Sequence, residues 1–247
     1  MTDPKDLLYG WISERAGDER PWLDAQLAQL AAPDATERDL HMYLGFAPRR
    51  LGKADLALTP DDLAQADAAR SGWDPSGWSI DGAARILGLL TYSGTRPFAE
   101  TFKDLRRTSD AAEMIALYRG LPLYPAPESL HFEVGEGLRS NLKPVFEAIA
   151  HNNPYPRDHF DEHRWNHMVL KALFIGAELG PITGLAARAN PELARILVQY
   201  ARERWAAGRP VMPELWPLVA PFAETPEIRA ELDRARAEGR TFEDLVS

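Results

Sequence analysis

The chain has 247 residues, 45% of them hydrophobic and 26% charged, which is a globular balance and excludes global disorder. It contains no cysteine, so disulfides, thiolate zinc sites, iron–sulfur clusters and thiol nucleophiles are excluded. A formal net charge of −9 argues against a nucleic-acid partner, which calls for a basic face.

Ala (36) and Leu (31) dominate, whereas Val (7) and Ile (9) are scarce. Helices favour the first pair and strands the second. Apolar residues recur at spacings of three and four, and no six-residue stretch alternates with period two. The expected fold is all-α, an irregular array or α–α superhelix of about a dozen short helices in a single domain over 1–247, with at least about 60% helix and no sheet of three or more strands. No apolar run approaches the roughly 20 residues of a membrane span. The start, Met1-Thr2-Asp3-Pro4-Lys5, lacks the pattern of a signal peptide. The expectation is a cytoplasmic protein without direct membrane insertion.

In chain order the expected helices lie at about 4–16, 21–32, 36–47, 60–70, 79–93, 97–107, 110–120, 127–139, 142–151, 157–176, 191–207, 213–222 and 226–238. Thr59-Pro60-Asp61-Asp62 sets out a cap, a first-turn proline and acids in order, and Ser79 with Asp81 opens the next helix. Asn190-Pro191-Glu192 is the clearest start, and Gly120-Leu121-Pro122 and Gly208-Arg209-Pro210 are stops. The charged tail from Glu224 is expected to dock as a terminal helix through Ile228, Leu232, Phe242, Leu245 and Val246, the alternative being a partner-binding tail.

Helix geometry singles out polar residues on apolar faces. Arg204 falls in the middle of the stripe formed by Leu193, Ile196, Leu197, Tyr200 and Ala201. Arg119 lies between Ala112 and Ile115, and Asn166 borders the sector of Met168, Val169, Ala172 and Leu173. A guanidinium directed at a core requires a carboxylate, carbonyls or an anionic ligand. Two readings stand side by side: structural bridges between helices, or a polar pocket enclosed by them.

Short motifs add little. His159-Phe160-Asp161-Glu162-His163 matches the inverted zinc-protease pattern, and His167 extends the row. A third ligand is missing unless Glu203 supplies it, so a solvated His face is expected, with His159 and His163 only a weak metal alternative. The phosphate-binding loop and the serine nucleophile elbow are absent. No cofactor is expected.

Longer runs carry more. Glu136-Gly137-Leu138-Arg139-Ser140-Asn141, Val145-Phe146-Glu147-Ala148-Ile149-Ala150, Asn153-Pro154-Tyr155-Pro156 and Trp165-Asn166 resemble the EboA family, as do Arg188-Ala189-Asn190-Pro191-Glu192-Leu193 and Tyr200-Ala201-Arg202-Glu203-Arg204-Trp205. Upstream, Trp78-Ser79, Ala84-Arg85 and Leu117-Tyr118-Arg119-Gly120 also fit. The resemblance covers about 75–220 well and the first 70 residues weakly. It implies an accessory protein of the bacterial Ebo metabolite-traffic gene cluster, working with other cluster proteins, including a prenyltransferase-like membrane protein and metal-dependent hydrolase-like enzymes. His163 and His167 stand where the family reserves no His. Arg119, Asn141, Asn166, Glu203 and Arg204 match its motifs and form the candidate site.

The resulting expectation is an accessory protein that binds a small hydrophobic or anionic metabolite, partner enzymes of the cluster, or both. Its alternatives are an all-α lyase, cyclase or hydrolase acting on a hydrophobic precursor, and a structural scaffold.

Overall fold

The computed structural model describes residues 2–237, except the side chains of Ala235 and Arg236. Among the described residues 71% are helical, in 14 α-helices, and no sheet occurs. No helix among them is long and apolar enough to cross a membrane. The chain divides into two compact units, Met1–Tyr155 and Pro156–Ser247; the sequence offers no linker at this point.

The first unit contains α1 (Pro4–Arg15), α2 (Arg20–Ala31), α3 (Glu37–Arg50), α4 (Pro60–Ala69), α5 (Ile80–Thr91), α6 (Phe98–Thr108), α7 (Ala111–Arg119), α8 (His131–Arg139) and α9 (Lys143–Ala150). Their starts follow from short polar side chains. Thr36, Thr59 and Asp110 form complete capping boxes with Asp39, Asp62 and Glu113, and Asp3 and Ser79 cap α1 and α5.

The apolar helix α5 is central, packing on α1, α2, α3 and α7. Ten of its 12 residues are buried. Gly88 lets the Tyr43 ring of α3 lie directly on its backbone, where a Cβ would meet Tyr43 Cε1 at 2.1 Å. The Tyr43 hydroxyl donates to the Ala84 carbonyl (2.8 Å), and Trp22 stacks on the same ring at 5.8 Å. Beside this core Trp11, Trp73 and Trp78 form a tilted aromatic row, all three buried. At the end of the unit, the buried Asn153 amide donates to Tyr118 and Ala148 carbonyls (3.1 and 3.0 Å) and accepts from the Tyr155 N–H.

The short α10 (Tyr155–His159) begins at the division between the units. The second unit then holds α11 (Glu162–Ile175), α12 (Pro191–Ala206), α13 (Trp216–Val219) and α14 (Pro226–Ala237). The single helix expected over 157–176 is interrupted: the Asp161 side chain accepts from the Arg164 N–H (2.7 Å) and starts α11 afresh. The segment 213–222 is likewise divided into short turns, because Pro213, Pro217 and Pro221 each sit in the first turn of a new one. α14 packs on α12 with Ile228 and Leu232 buried, and Arg202 pairs with Glu231 at 2.7 Å. Phe242, Leu245 and Val246 lie outside the described residues.

Gly88→Ala forces the Tyr43 ring off α5 and is expected to destabilise the protein by about 1–3 kcal/mol, as overpacking does. Urea unfolding of the two proteins measures this.

Candidate functional site

Two cavities flank one buried arginine in the first unit. Arg85 and Asp81, on successive turns of α5, are 6% and 4% exposed. Arg85 donates to Asp81 Oδ2 (2.9 Å) and to the Leu44 carbonyl (3.2 Å), and Glu113 lies 3.7 Å from its remaining nitrogen. A buried guanidinium must find such partners, and this one is ringed by acceptors from α3, α5 and α7. On one side lies a cavity of about 290 Å³ with Leu44, Leu105 and Leu117 in its wall. On the other lies one of about 260 Å³ between α5 and α7, lined by Trp78, Ile86, Ile115 and Ala116, with Arg119 and Lys53 as its further cations.

Arg119 contrasts with Arg85. It lines the α5–α7 cavity together with Ala112 and Ile115, the residues that bracket it on the helical wheel. Its polar contact is one long bond of 3.4 Å to the Gly77 carbonyl, and no described carboxylate forms an ion pair with it. Burial pulls its pKa down, opposed through space by Asp55. Lys53, exposed at the mouth, has no ion-pair partner among the described residues. Lys53 escaped the sequence reasoning because it lies in a loop with no periodicity to place it. Asp81 and Arg85 had a legible signal, opposite charges at i and i+4 within an otherwise apolar helix.

In the second unit α11 and α12 run side by side in the same sense. Near their starts the Asn166 and Asn190 amides bond reciprocally (3.2 and 2.9 Å), while Asn190 also caps α12 through the Leu193 N–H. Near their ends the Tyr200 hydroxyl donates to the Leu173 carbonyl at 3.3 Å. Between them opens a cleft of about 630 Å³, lined by Asn166, Leu170, Ile196 and Glu203 and flanked by the 64% exposed Phe174, whose ring meets Tyr200 edge-on. Beneath α11, Arg188 gathers the carbonyls of Pro156, Arg157 and Phe160 and stacks over Trp165 at 4.7 Å.

Of the five candidate residues, Asn166 and Glu203 thus share the α11–α12 cleft, and Arg119 lies in the α5–α7 cavity of the first unit. Arg204 lines neither. α12 ends at Ala206, so the apolar stripe runs out beneath it, and its Nε donates to the Pro210 carbonyl (3.1 Å) in the turn made by Gly208 at φ +67°. A cation there also suits the C-terminal end of the helix dipole. Asn141 is exposed, and Leu142, not Asn141, occupies the N-cap of α9 without a side-chain cap bond. Glu203 is an exposed rim residue that accepts from Gln199 at 3.4 Å.

The histidine row is not one helical stripe. Phe160 and Asp161 separate His159, on α10, from His163 and His167, on α11, whose exposed rings lie 4.1 Å apart. No group of three or more His, Asp or Glu among the described residues could hold a metal ion.

Asn166→Leu leaves the Asn190 amide without its reciprocal partner and is expected to cost about 1–3 kcal/mol. Arg204→Met, at the accessible end of α12, should change stability by less than about 0.5 kcal/mol. Chemical unfolding of both variants separates the structural residue from the peripheral one.

Comparison with known proteins places the chain. A curated protein, glutamate–tRNA ligase 1 of Parvibaculum lavamentivorans, is 29% identical over 215 residues, which cover 78% of this chain and 41% of that protein. The chain therefore spans less than half the length of that relative. No solved structure matches. The family model described as metabolite traffic protein EboA matches residues 4–220, through both units. With its all-α architecture and a match over most of its length, the chain belongs to the EboA family of metabolite traffic proteins.

Proposed function

We propose that the chain serves metabolite traffic as a cytoplasmic accessory protein that binds a small hydrophobic or anionic metabolite in the α5–α7 cavity of its first unit and works with other proteins of the Ebo cluster. One observation carries this reading. Arg119 bears a permanent charge, is partly desolvated on a largely apolar wall, and has a single long carbonyl bond for compensation. Leaving such a charge unsatisfied is costly, so a site of this kind is maintained for something that satisfies it. Arg85, on the wall of the same cavity, shows the contrast: its acceptors are supplied by the protein itself.

An enzyme acting on a hydrophobic precursor is the second reading, favoured by a carboxylate, Asp81, on the cavity wall. That carboxylate is committed to Arg85, which leaves it poorly placed as an acid or base. The relative's name speaks of glutamate and tRNA; a net charge of −9 opposes a polyanionic partner here.

Untargeted mass spectrometry of small molecules co-purifying with the natively expressed protein tests the proposal. One species should be enriched with the wild type and depleted at least about tenfold, a loss of roughly 1.4 kcal/mol in binding, with Arg119→Met at unchanged thermal stability. Equal recovery with both proteins, or enrichment of nothing, counts against it.

A further inference from the structure

The α5–α7 cavity holds two kinds of surface, and their arrangement narrows what it accepts. Trp78, Ile86, Ile115 and Ala116 supply its apolar wall. Its charged groups do not cancel. Asp81 is taken by Arg85, which leaves the cations Arg119 and Lys53 facing the space. The carboxylate that opposes the charge of Arg119 is Asp55, which acts through space and already accepts from the Ala57 N–H at 2.5 Å. A neutral apolar molecule would leave Arg119 desolvated without compensation, and a cation would be repelled. A fully hydrated inorganic anion would compensate the charge but leave the apolar wall uncovered.

From this we infer that the cavity binds an amphipathic anion: a carboxylate or phosphate head between Arg119 and Lys53, with a short apolar body against Trp78, Ile86 and Ile115. The inference rests on the proposed binding role of this cavity and assigns its ligand class. The planar guanidinium of Arg119 can engage both oxygens of such a head, while Lys53 acts as a point charge at the mouth. A volume of about 260 Å³ corresponds to about nine groups of water size, enough for a head and a body of several carbons. The long bond to the Gly77 carbonyl is the contact Arg119 exchanges for the head.

A series with one tail and four heads tests this by isothermal titration calorimetry on the full chain: octanoate, octyl phosphate, octanol and octylammonium. Octanoate and octyl phosphate should bind saturably at one site, at least about tenfold tighter than octanol, and octylammonium should not bind. Arg119→Met should reduce both anions to the octanol level while leaving octanol unchanged. Ala112→Phe, which fills the exposed mouth of the cavity, should abolish binding of every member, and circular dichroism verifies that both variants remain helical. Octanol or octylammonium binding as tightly as the anions, or anion affinity unchanged in Arg119→Met, would overturn the ligand class while leaving a cavity that binds small molecules. Binding of no member, or binding unaffected by Ala112→Phe, would overturn the cavity as the site and the class with it.

Discussion

The first unit depends on a nearly buried charge that the protein itself must satisfy. Arg85 and Asp81 are buried within α5, and the acceptors that satisfy Arg85 come from α3, α5 and α7. Removing one partner of such a pair leaves an uncompensated buried charge, at a cost of about 3–5 kcal/mol. The ring of acceptors therefore ties three helices together in direction as well as distance, which apolar packing alone does not do. Tyr43 reinforces this from α3 by lying on Gly88 and donating to Ala84, so that α3 and α5 meet in one register. The α5–α7 cavity and the one walled by Leu44, Leu105 and Leu117 both border Arg85.

Two arginines in one small region differ in how they are satisfied. Arg85 is satisfied by the fold; Arg119 is held by it and left with one weak bond. A side chain that only stabilised α7 would be expected to find a carboxylate or a set of carbonyls, as Arg188 does in the second unit with three carbonyls and the Trp165 ring. Membership of a metabolite-traffic family gives the unsatisfied cation a context, and the apolar wall around it gives a ligand a reason to remain.

Helix starts were the most legible part of the fold, because a cap is a local event. Thr59, Ser79 and Asn190 act as their neighbours in the chain indicate. The break at Asp161 was less visible: an aspartate within an apolar-periodic stretch reads equally well as a surface position until its side chain is seen capping Arg164. Helical geometry puts Arg119 on the face of α7 that carries Ala112 and Ile115, since the wheel position is set by the helix itself, and the three line one cavity. It says nothing of where the core stops, and for this reason Arg204 appears central on a wheel and lies in the last turn of α12 in space. Asn166 stood out for its place beside an apolar sector, but its partner Asn190 is 24 residues away and no local pattern joins them. The same limit concealed Lys53, a loop residue brought to the cavity by the backbone pairing of Ala54 and Leu56 with Ile80 and Trp78.

Hydrogen–deuterium exchange of the full chain with and without saturating octyl phosphate bears most directly on the central claim, that the partly satisfied charge on α7 marks the ligand site. The account predicts added protection in 78–86 and 112–119, the segments that wall the α5–α7 cavity. Protection confined to α11 and α12, with the α5 and α7 segments unchanged, would contradict it and move the site to the cleft of the second unit.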